Sequence, residues 1–484
     1  MRAIDAPVVI TGAGPVGLLL ACELRRAGAE VVVLERLASP MTESRAAQLT
    51  TLTAELLHER GFDDLLGEAV PESRAHFGGL PFHLAGLDSD HAGSWKVPQY
   101  RTEAALGRRA AELGVPLLRS CELTGVAQAA DRVVCTARGP DGEIRIRARY
   151  LVGCDGAGST VRRLCGFTSS GTAATKELLR ADVSGVQIRD RRFERLLAGF
   201  AVAGTHDGVT RVMAHAYGQG VTGRTAPPDL SEVGRLWEKV TGEDISGGEA
   251  RWTDAFDNAR GQADGYRRGR VLLAGDAAHW HLPIGGQSLN IGVQDAVNLG
   301  WKLAGVLSGW APERLLDSYQ DERHPVAARM LSYVAAQETL LIGDREIEPL
   351  RAVLAELIAL DQVRGHLARV VSGLDDHYAA GGSAPVGRRV VRARLRDRNG
   401  AAVAPIGPEP VVVRLSTTAD DKPTALPCGL EIPTIHAVSE NPTVLAGADV
   451  LIVRPDGYIA WAGRDDGALG PALEQWLGAA PAGA

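Results

Sequence analysis

The run Val8-Val9-Ile10-Thr11 has no polar alternation, the pattern of a short strand buried on both faces. A turn of small residues, Gly12-Ala13-Gly14-Pro15-Val16-Gly17, follows it. Helical spacing then runs from Leu18 to Arg26 and stops near Gly28, and Val31 to Leu34 is a second buried strand closing on Glu35. Two such strands joined by a helix predict a parallel βαβ unit. From about 71 to 100 the pattern breaks into short apolar pieces around Gly78-Gly79 and Gly86, predicting strands of an inserted sheet. Arg101 to Leu113 is helical, and residues 115 to 152 alternate like strands with Asp141-Gly142 as a hairpin signal. Alternation returns in Ala181 to Ile188 and Arg211 to Tyr217, with one helix, Leu230 to Val240. Val271 to Ala274 repeats the buried-strand pattern, and long amphipathic helices fill 313 to 373. Gly381-Gly382-Ser383-Ala384-Pro385 reads as a linker to a small α/β module that includes Val450 to Trp461.

At 484 residues the chain calls for two or three units around a common scaffold. Glycine, at 57 residues, exceeds the usual ~7% and clusters where backbone must approach a phosphate-bearing ligand. A net charge of −7 argues against nucleic acid and anionic membrane as partners and for a small molecule. The six cysteines form no C-x-x-C pair and no metal-ligand spacing, as expected of reduced thiols in a cytoplasmic protein. Leu19-Leu20-Ala21-Cys22 has the look of a lipoprotein box. Its apolar run, however, carries three glycines and a proline and has only Arg2 before it, so no signal peptide is expected. Nor does any stretch approach the ~18 apolar residues of a membrane span.

Gly12-x-Gly14-x-x-Gly17, placed between strand and helix, lets a pyrophosphate sit against helix N-terminal amides, and Glu35 is placed to accept from a ribose. This motif does not separate FAD from NAD. Asp276 does: at the carboxyl end of a buried strand, an acceptor-only carboxylate suits the hydroxyls of the ribityl chain that only FAD carries. Pro283, Gly285 and Gly286 bring amides toward the flavin ring. Asn290, Gln294, Asn298 and Lys302 form one polar stripe on the following apolar helix. His279-Trp280-His281 lacks a third ligand at a recognised spacing, so no metal is expected, and His281 is placed at the border of the active site. Arg162 and Arg163 read equally well as NADPH-phosphate ligands and as ordinary surface cations. Trp95, His215, Tyr217 and Trp252 are candidates for a flat substrate pocket, although each residue type is more often plain packing.

Gly12 to Gly17, Gly153-Cys154-Asp155-Gly156-Ala157-Gly158-Ser159-Thr160-Val161-Arg162 and Gly275-Asp276-Ala277-Ala278-His279 together resemble the three fingerprints of class A flavoprotein aromatic hydroxylases, the para-hydroxybenzoate hydroxylase fold. Phe77-Gly78-Gly79-Leu80-Pro81, Val97-Pro98-Gln99, Gly285-Gly286-Gln287 and the stretch Gln294 to Leu303 are similar to the hydroxylases that tailor aromatic polyketides, of the angucyclinone and anthracyclinone type. The resemblance covers nearly the whole chain. It implies an α/β fold: a Rossmann-like doubly wound FAD domain (1–70, 101–175, 265–380), an inserted β-sheet substrate domain (71–100, 176–264) and a C-terminal thioredoxin-like domain (386–484). In that last domain Cys428 stands alone, so no dithiol chemistry is expected.

Carried over by position, the resemblance puts the pyrophosphate on Gly14, Pro15 and Val16, in a cofactor-binding turn that includes Gly12 and Gly17, and the ribose on Glu35 with Arg36. The flavin side falls to Arg45, the ribityl chain to Gln99 and Asp276, the adenine to the backbone of Leu123, and Asp155 serves FAD and NADPH. The flavin ring falls to Pro283, Gly286, Gln287, Ser288, Leu289 and Asn290. Two departures stand out: Leu52 replaces an arginine, and Ser288 replaces the last glycine of G-G-Q-G. The implied reaction is reduction of FAD by NADPH or NADH, formation of a C4a-hydroperoxide from O2, and hydroxyl transfer to a polycyclic aromatic substrate in antibiotic or pigment biosynthesis, by a monomer or homodimer. No acid–base residue is singled out, because the flavin carries the hard chemistry. Baeyer–Villiger or ring-opening oxygenation, and a non-catalytic flavin-binding scaffold, remain alternatives.

Overall fold

A computed structural model of the chain describes residues 2–42, 46–67, 69–378, 384–416, 424–425 and 431–477. At its centre is a six-stranded sheet in the order Arg267–Arg268, Val271–Leu273, Tyr150–Gly153, Val8–Thr11, Val31–Leu34, Leu117–Leu118, parallel except for the first strand. Val9, Ile10, Val33, Leu151, Val152 and Leu272 are fully enclosed, which is why these strands show no polar alternation. The helix Pro15–Arg26 starts with proline at its first turn and packs against the helix Ser288–Ser308. The approach is close: a Cβ on Gly300 would lie 2.6 Å from Glu23 Cβ, and one on Gly292 2.6 Å from Val16 Cγ2. A four-stranded sheet holds the hairpin expected around Asp141-Gly142, where Gly139 pairs with Gly142.

The inserted sheet has five antiparallel strands in the order Arg191–Arg195, Gly199–His206, Val209–Ala216, Glu177–Ser184, Glu249–Asp257. The helix Leu230–Thr241, capped by Asp229 and closed by Gly242 in the left-handed region, covers one face with Val233, Leu236, Trp237 and Val240. Residues 71–100 do not join this sheet, contrary to the sequence-based expectation. Pro71–Glu72 pairs with Ser94–Trp95, and Arg74–Phe77 pairs with Leu80–His83. Gly78 and Gly79, both at positive φ, close a two-residue turn, and Phe77 and Phe82 bury themselves against Leu340, Ile358 and Leu367 of the C-terminal helices. The hairpin satisfies its own backbone and finds its apolar partner on helices.

Beyond the long helix Asp317–Ile342 and the helices Glu348–Ile358 and Asp361–Val371, the C-terminal module is a mixed four-stranded sheet, Thr434–His436, Val411–Arg414, Val450–Val453, Ile459–Gly463, with the helix Leu469–Leu477 on one face. The expected linker at Gly381-Gly382-Ser383, and Cys428, lie outside the described residues. No helix among the described residues is long and apolar enough to cross a membrane.

Candidate active site

The first glycine turn is built against the neighbouring strand. Gly12 sits at φ +96°, where a Cβ would fall 2.3 Å from the Cys154 carbonyl oxygen, and a Cβ on Gly17 would fall 2.0 Å from the Gly12 oxygen. At Gly14, by contrast, a Cβ would meet nothing within 4 Å, so the turn presents bare backbone to open space at the start of the helix. Glu35 is fixed at the end of its strand because Ala13 N–H and Leu37 N–H each donate to one carboxylate oxygen at 2.8 Å. Each oxygen keeps a further lone pair for a hydroxyl. Arg36 is exposed beside it. Gln99 pins the adjoining loop twice, donating its N–H to Ala46 O at 2.9 Å and accepting from Ala46 N–H at 3.2 Å. Arg45 lies outside the described residues, and Leu123 buries its side chain, leaving only backbone for a ligand.

Asp155 takes Ser159 Oγ on one oxygen at 2.5 Å, and the Thr160 and Val161 amides on the other at 2.7 and 3.1 Å. It shapes the turn and caps the short helix behind it. Arg162 is likewise committed, donating to Ala277 O at 2.8 Å and Ala157 O at 2.5 Å while stacking on Trp280 at 4.3 Å. It ties two motifs together.

The third motif meets the first directly: a Cβ on Gly275 would lie 3.0 Å from Val16 Cγ2. Asp276 is half-buried at this junction, and Ser288 Oγ donates to its Oδ1 at 2.5 Å. Gly285 and Gly286, at φ +73° and +66°, turn the chain from exposed Pro283 into the helix. Asn290 holds that turn, donating to Gly286 O at 2.5 Å and Gln48 O at 3.1 Å and accepting from Thr50 N–H at 2.9 Å. Gln287 is buried and donates to Gly285 O, and Leu289 is half-buried. A glycine turn with bare backbone, a ribose-ready glutamate and a half-buried aspartate on one sheet edge are the donor set FAD needs, so the residues fit that cofactor.

The rest of the polar stripe lies inside the protein. Gln294, Asn298 and Lys302 are buried and run away from the turn, to Arg323, to Glu322 and Asp456, and to Glu322 respectively. Asp295, unremarked in the sequence, is the more connected residue. Fully buried, it accepts from Gly275 N–H at 3.0 Å, His279 Nε2 at 2.6 Å and Arg323 Nε at 2.8 Å. Burial alone would raise its pKa, but His279 and Arg323 outweigh it and keep the carboxylate ionised. The only sequence signal was an acidic residue on an otherwise apolar helix face.

Of the proposed substrate residues, His215 and Trp252 lie on the face of the five-stranded sheet turned away from the helix Leu230–Thr241. On that face Leu178 and Phe200 pack against Leu282 and Ile284 of the turn that carries the third motif. His215 Nδ1 donates to Glu177 O at 2.8 Å. His281 precedes that contact, with Nδ1 donating to Leu282 O at 2.6 Å, and burial lowers its pKa, favouring the neutral ring. Tyr217 stands at the margin under Arg195, 4.8 Å from ring centre to guanidinium. Trp95 does not join them: its indole donates to His91 O at 3.0 Å, and it packs on the dinucleotide-domain core beside Leu49. No group of three or more metal-ligating side chains occurs among the described residues. Arg180, on the same face as His215, escaped the sequence reading because its partners lie on other strands.

A doubly wound sheet with this cradle, an inserted antiparallel sheet facing it and a third C-terminal module define a flavin-dependent oxidoreductase. The chain belongs to the FAD binding domain family, whose model matches residues 5–334, and an aromatic-ring hydroxylase C-terminal model matches residues 383–480. It is 37% identical, over 97% of this chain and 98% of the relative, to a 12-dehydrotetracycline 5-monooxygenase/anhydrotetracycline 6-monooxygenase of Streptomyces rimosus. A dialkyldecalin synthase of Streptomyces rugosporus is also 37% identical, over 98% of this chain and 99% of the relative. The crystal structure of CabE, an aromatic hydroxylase from angucycline biosynthesis, superposes with a TM-score of 0.91 at 41% identity, covering 99% of this chain and 100% of the other. The protein is a flavoprotein aromatic monooxygenase that uses FAD, and NAD(P)H and O2 are the usual co-substrates of its class.

Proposed function

We propose that the chain hydroxylates an electron-rich ring of a polycyclic aromatic polyketide. The observation that carries this reading is the sheet face turned away from the helix Leu230–Thr241. Leu178 and Phe200 pack against the Leu282–Ile284 turn, and beside them Met213, Trp252 and Phe256 stand half-buried, an apolar and aromatic surface of the composition that receives a flat ring system. FAD, when bound, supplies the electron transfer and the oxygen activation. The chain's own part is to hold and to shield. Gly14 to Val16 offer backbone amides to the pyrophosphate, Glu35 offers acceptors to the ribose, and Asp276 offers acceptors to the ribityl hydroxyls. Asp155, Arg162 and Asn290 fix the turns that carry these groups, and the apolar wall keeps water from the reacting ring.

The test is turnover with isotope-labelled O2. The purified protein is expected to be yellow and to consume NADPH faster when a polycyclic phenol is added, with one labelled oxygen on an aromatic or quinoid carbon of the product. Insertion beside a carbonyl with lactone formation would replace hydroxylation by Baeyer–Villiger chemistry. Likeness to a dialkyldecalin synthase keeps a second reading in play, in which the flavoprotein scaffold promotes a reaction without net oxidation. Product formed with neither label nor NADPH consumption would favour it.

A further inference from the structure

The chain leaves the short strand Ser94–Trp95 through Lys96 and Val97. Trp95 packs on the dinucleotide-domain core and Val97 is buried, so the alternation of an extended chain turns the side chain between them outward. Lys96 is exposed, and its one hydrogen bond among the described residues runs from Nζ to Gln48 Oε1 at 3.0 Å. Gln48 flanks the turn assigned to the flavin ring. A Cβ on Gly286 would lie 3.6 Å from Gln48 Nε2, and the Gln48 carbonyl accepts from Asn290 Nδ2 at 3.1 Å. Arg192 and His76 are also near the ammonium, and the His76 ring centre lies 3.9 Å from that of Phe193 on the edge strand of the inserted sheet. Lys96 therefore stands between the cofactor turn and the inserted sheet, on a side open to solvent.

Among the described residues no carboxylate bonds to this ammonium. Glu72 is near, but it pairs with Arg192 Nη2 at 3.4 Å. His76 accepts Gly79 N–H on Nδ1 at 3.3 Å, and burial, with Lys96 and Arg192 beside it, lowers its pKa to about 4, so the ring is neutral. Burial also lowers the Lys96 pKa, with Glu72 opposing the effect and Arg192 adding to it. Lys176 and Lys302, by contrast, are committed to Ile342 O and to Glu322. A cation penalised by burial and left unpaired gains most from an anionic oxygen that a ligand brings. Electrophilic oxygen passes most readily to a ring that carries O− in place of OH, and the molecule is an aromatic monooxygenase. We propose that Lys96 binds the ionised oxygen of a phenolic substrate and holds that ring, as its phenolate, beside the cofactor turn. The phenol's proton leaves to water on the exposed side, Lys96 keeps its own, and no bond to carbon is made or broken there. This rests on the aromatic-substrate reading above and adds the residue and the ionisation state that are selected.

The test follows 2-hydroxyanthraquinone, whose colour deepens when its phenol ionises, bound to the FAD-loaded enzyme across a pH series. Paired with an ammonium, the bound phenol should ionise at least about one pH unit below its value in water. Lys96→Met should remove that shift and weaken phenol binding about tenfold, while binding of 2-methoxyanthraquinone, which has no proton to lose, stays within about twofold. Lys96→Arg should restore both the shift and the affinity. Because the side chain is exposed, both variants should keep wild-type flavin content and melting temperature, which establishes that each is folded. A wild type that binds the phenol un-ionised, or a Lys96→Met variant that keeps the shift, overturns the proposal. A shift kept while the flavin reduction potential of the ligand-free variant moves would assign the charge to the flavin instead. Equal weakening of phenol and methyl ether would show a packing role, and loss of anthraquinone-2-carboxylate binding with the phenol unaffected would show a carboxylate site; either overturns it. Phenol ionisation set by Lys96 with no labelled oxygen in any product would instead sink the hydroxylation reading and leave the Lys96 contact standing.

Discussion

Ser288 stands where the resemblance to polyketide hydroxylases calls for glycine, and the structure gives its hydroxyl a definite task. The residue is the first of the helix Ser288–Ser308, so no left-handed conformation demands glycine there, and its Oγ donates to Asp276 Oδ1 at 2.5 Å. The hydroxyl goes to a side chain, not to the helix amides that a capping serine would serve. Hydrogen bonds to charged groups contribute about 1.5–3 kcal/mol, less where water competes. Ser288→Gly is therefore expected to weaken FAD binding roughly three- to tenfold by freeing Asp276 to rotate, read by fluorescence titration of apoprotein. Unchanged affinity would show that Asp276 is held without it. Gly12→Ala is the harsher change: a left-handed φ of +96° and a Cβ 2.3 Å from the Cys154 oxygen should open the turn and yield colourless protein, checked by absorbance at the flavin bands.

The helix Ser288–Ser308 looks amphipathic in sequence, but it is a buried conduit of polar contacts. From Asp295 a buried polar cluster spreads to His279 and Arg323. Arg323 in turn donates to Gln294 Oε1 at 3.0 Å, Tyr378 Oη at 3.2 Å and Ile291 O at 3.2 Å. Because Asp295 also holds the Gly275 amide, the element that positions the third glycine motif is the element that anchors the long helix Asp317–Ile342. Removing one partner of a buried pair costs about 3–5 kcal/mol, since the other charge stays enclosed. Asp295→Asn should lower stability by about that much in urea unfolding and loosen FAD as well. An Ile146→Ala change in the four-stranded sheet serves as the comparison, destabilising without touching a residue assigned to the cofactor.

At the scale of the molecule, the C-terminal module is docked through enclosed charge. Glu322 receives Lys302 Nζ at 2.8 Å and Arg454 at 2.6 and 2.8 Å. Arg454 also pairs with Asp456, and Asp456 accepts from Trp301 Nε1 at 3.1 Å. Arg389 pairs with Glu59 and Arg392 with Glu55, adding a second seam. Burial alone would raise the Glu322 pKa, but Arg454 and Lys302 pull it down to about 2 from its ordinary 4.5. A carboxyl depressed on folding contributes stability that is complete above its ordinary pKa and drains away as pH falls from 4.5 through about 2. That contribution is on the order of 3 kcal/mol. The melting temperature should fall steeply below pH 4.5, and Glu322→Gln should lower it at pH 7 and flatten the acid limb. A wild-type profile flat to pH 3 would contradict the pairing.

Local rules settle themselves along the chain. Val8–Thr11, Val31–Leu34 and Val271–Leu273 are legible because a strand covered on both faces has no polar side to alternate, and the glycine turn is legible because only residues without a Cβ fit φ +96° against Cys154. With Glu35 and Asp276 at strand ends, that much determined a dinucleotide cradle and favoured FAD. The sequence could not show which residues meet across the fold. Arg180 and Asp254 lie on neighbouring strands far apart in the chain, as do Asp295 and Arg323 on two helices, and the hairpin at 74–83 chose helices over the inserted sheet. Periodicity reports that a face is buried but not what buries it. Only the tertiary structure turned the polar stripe of one helix into the anchor of the C-terminal module.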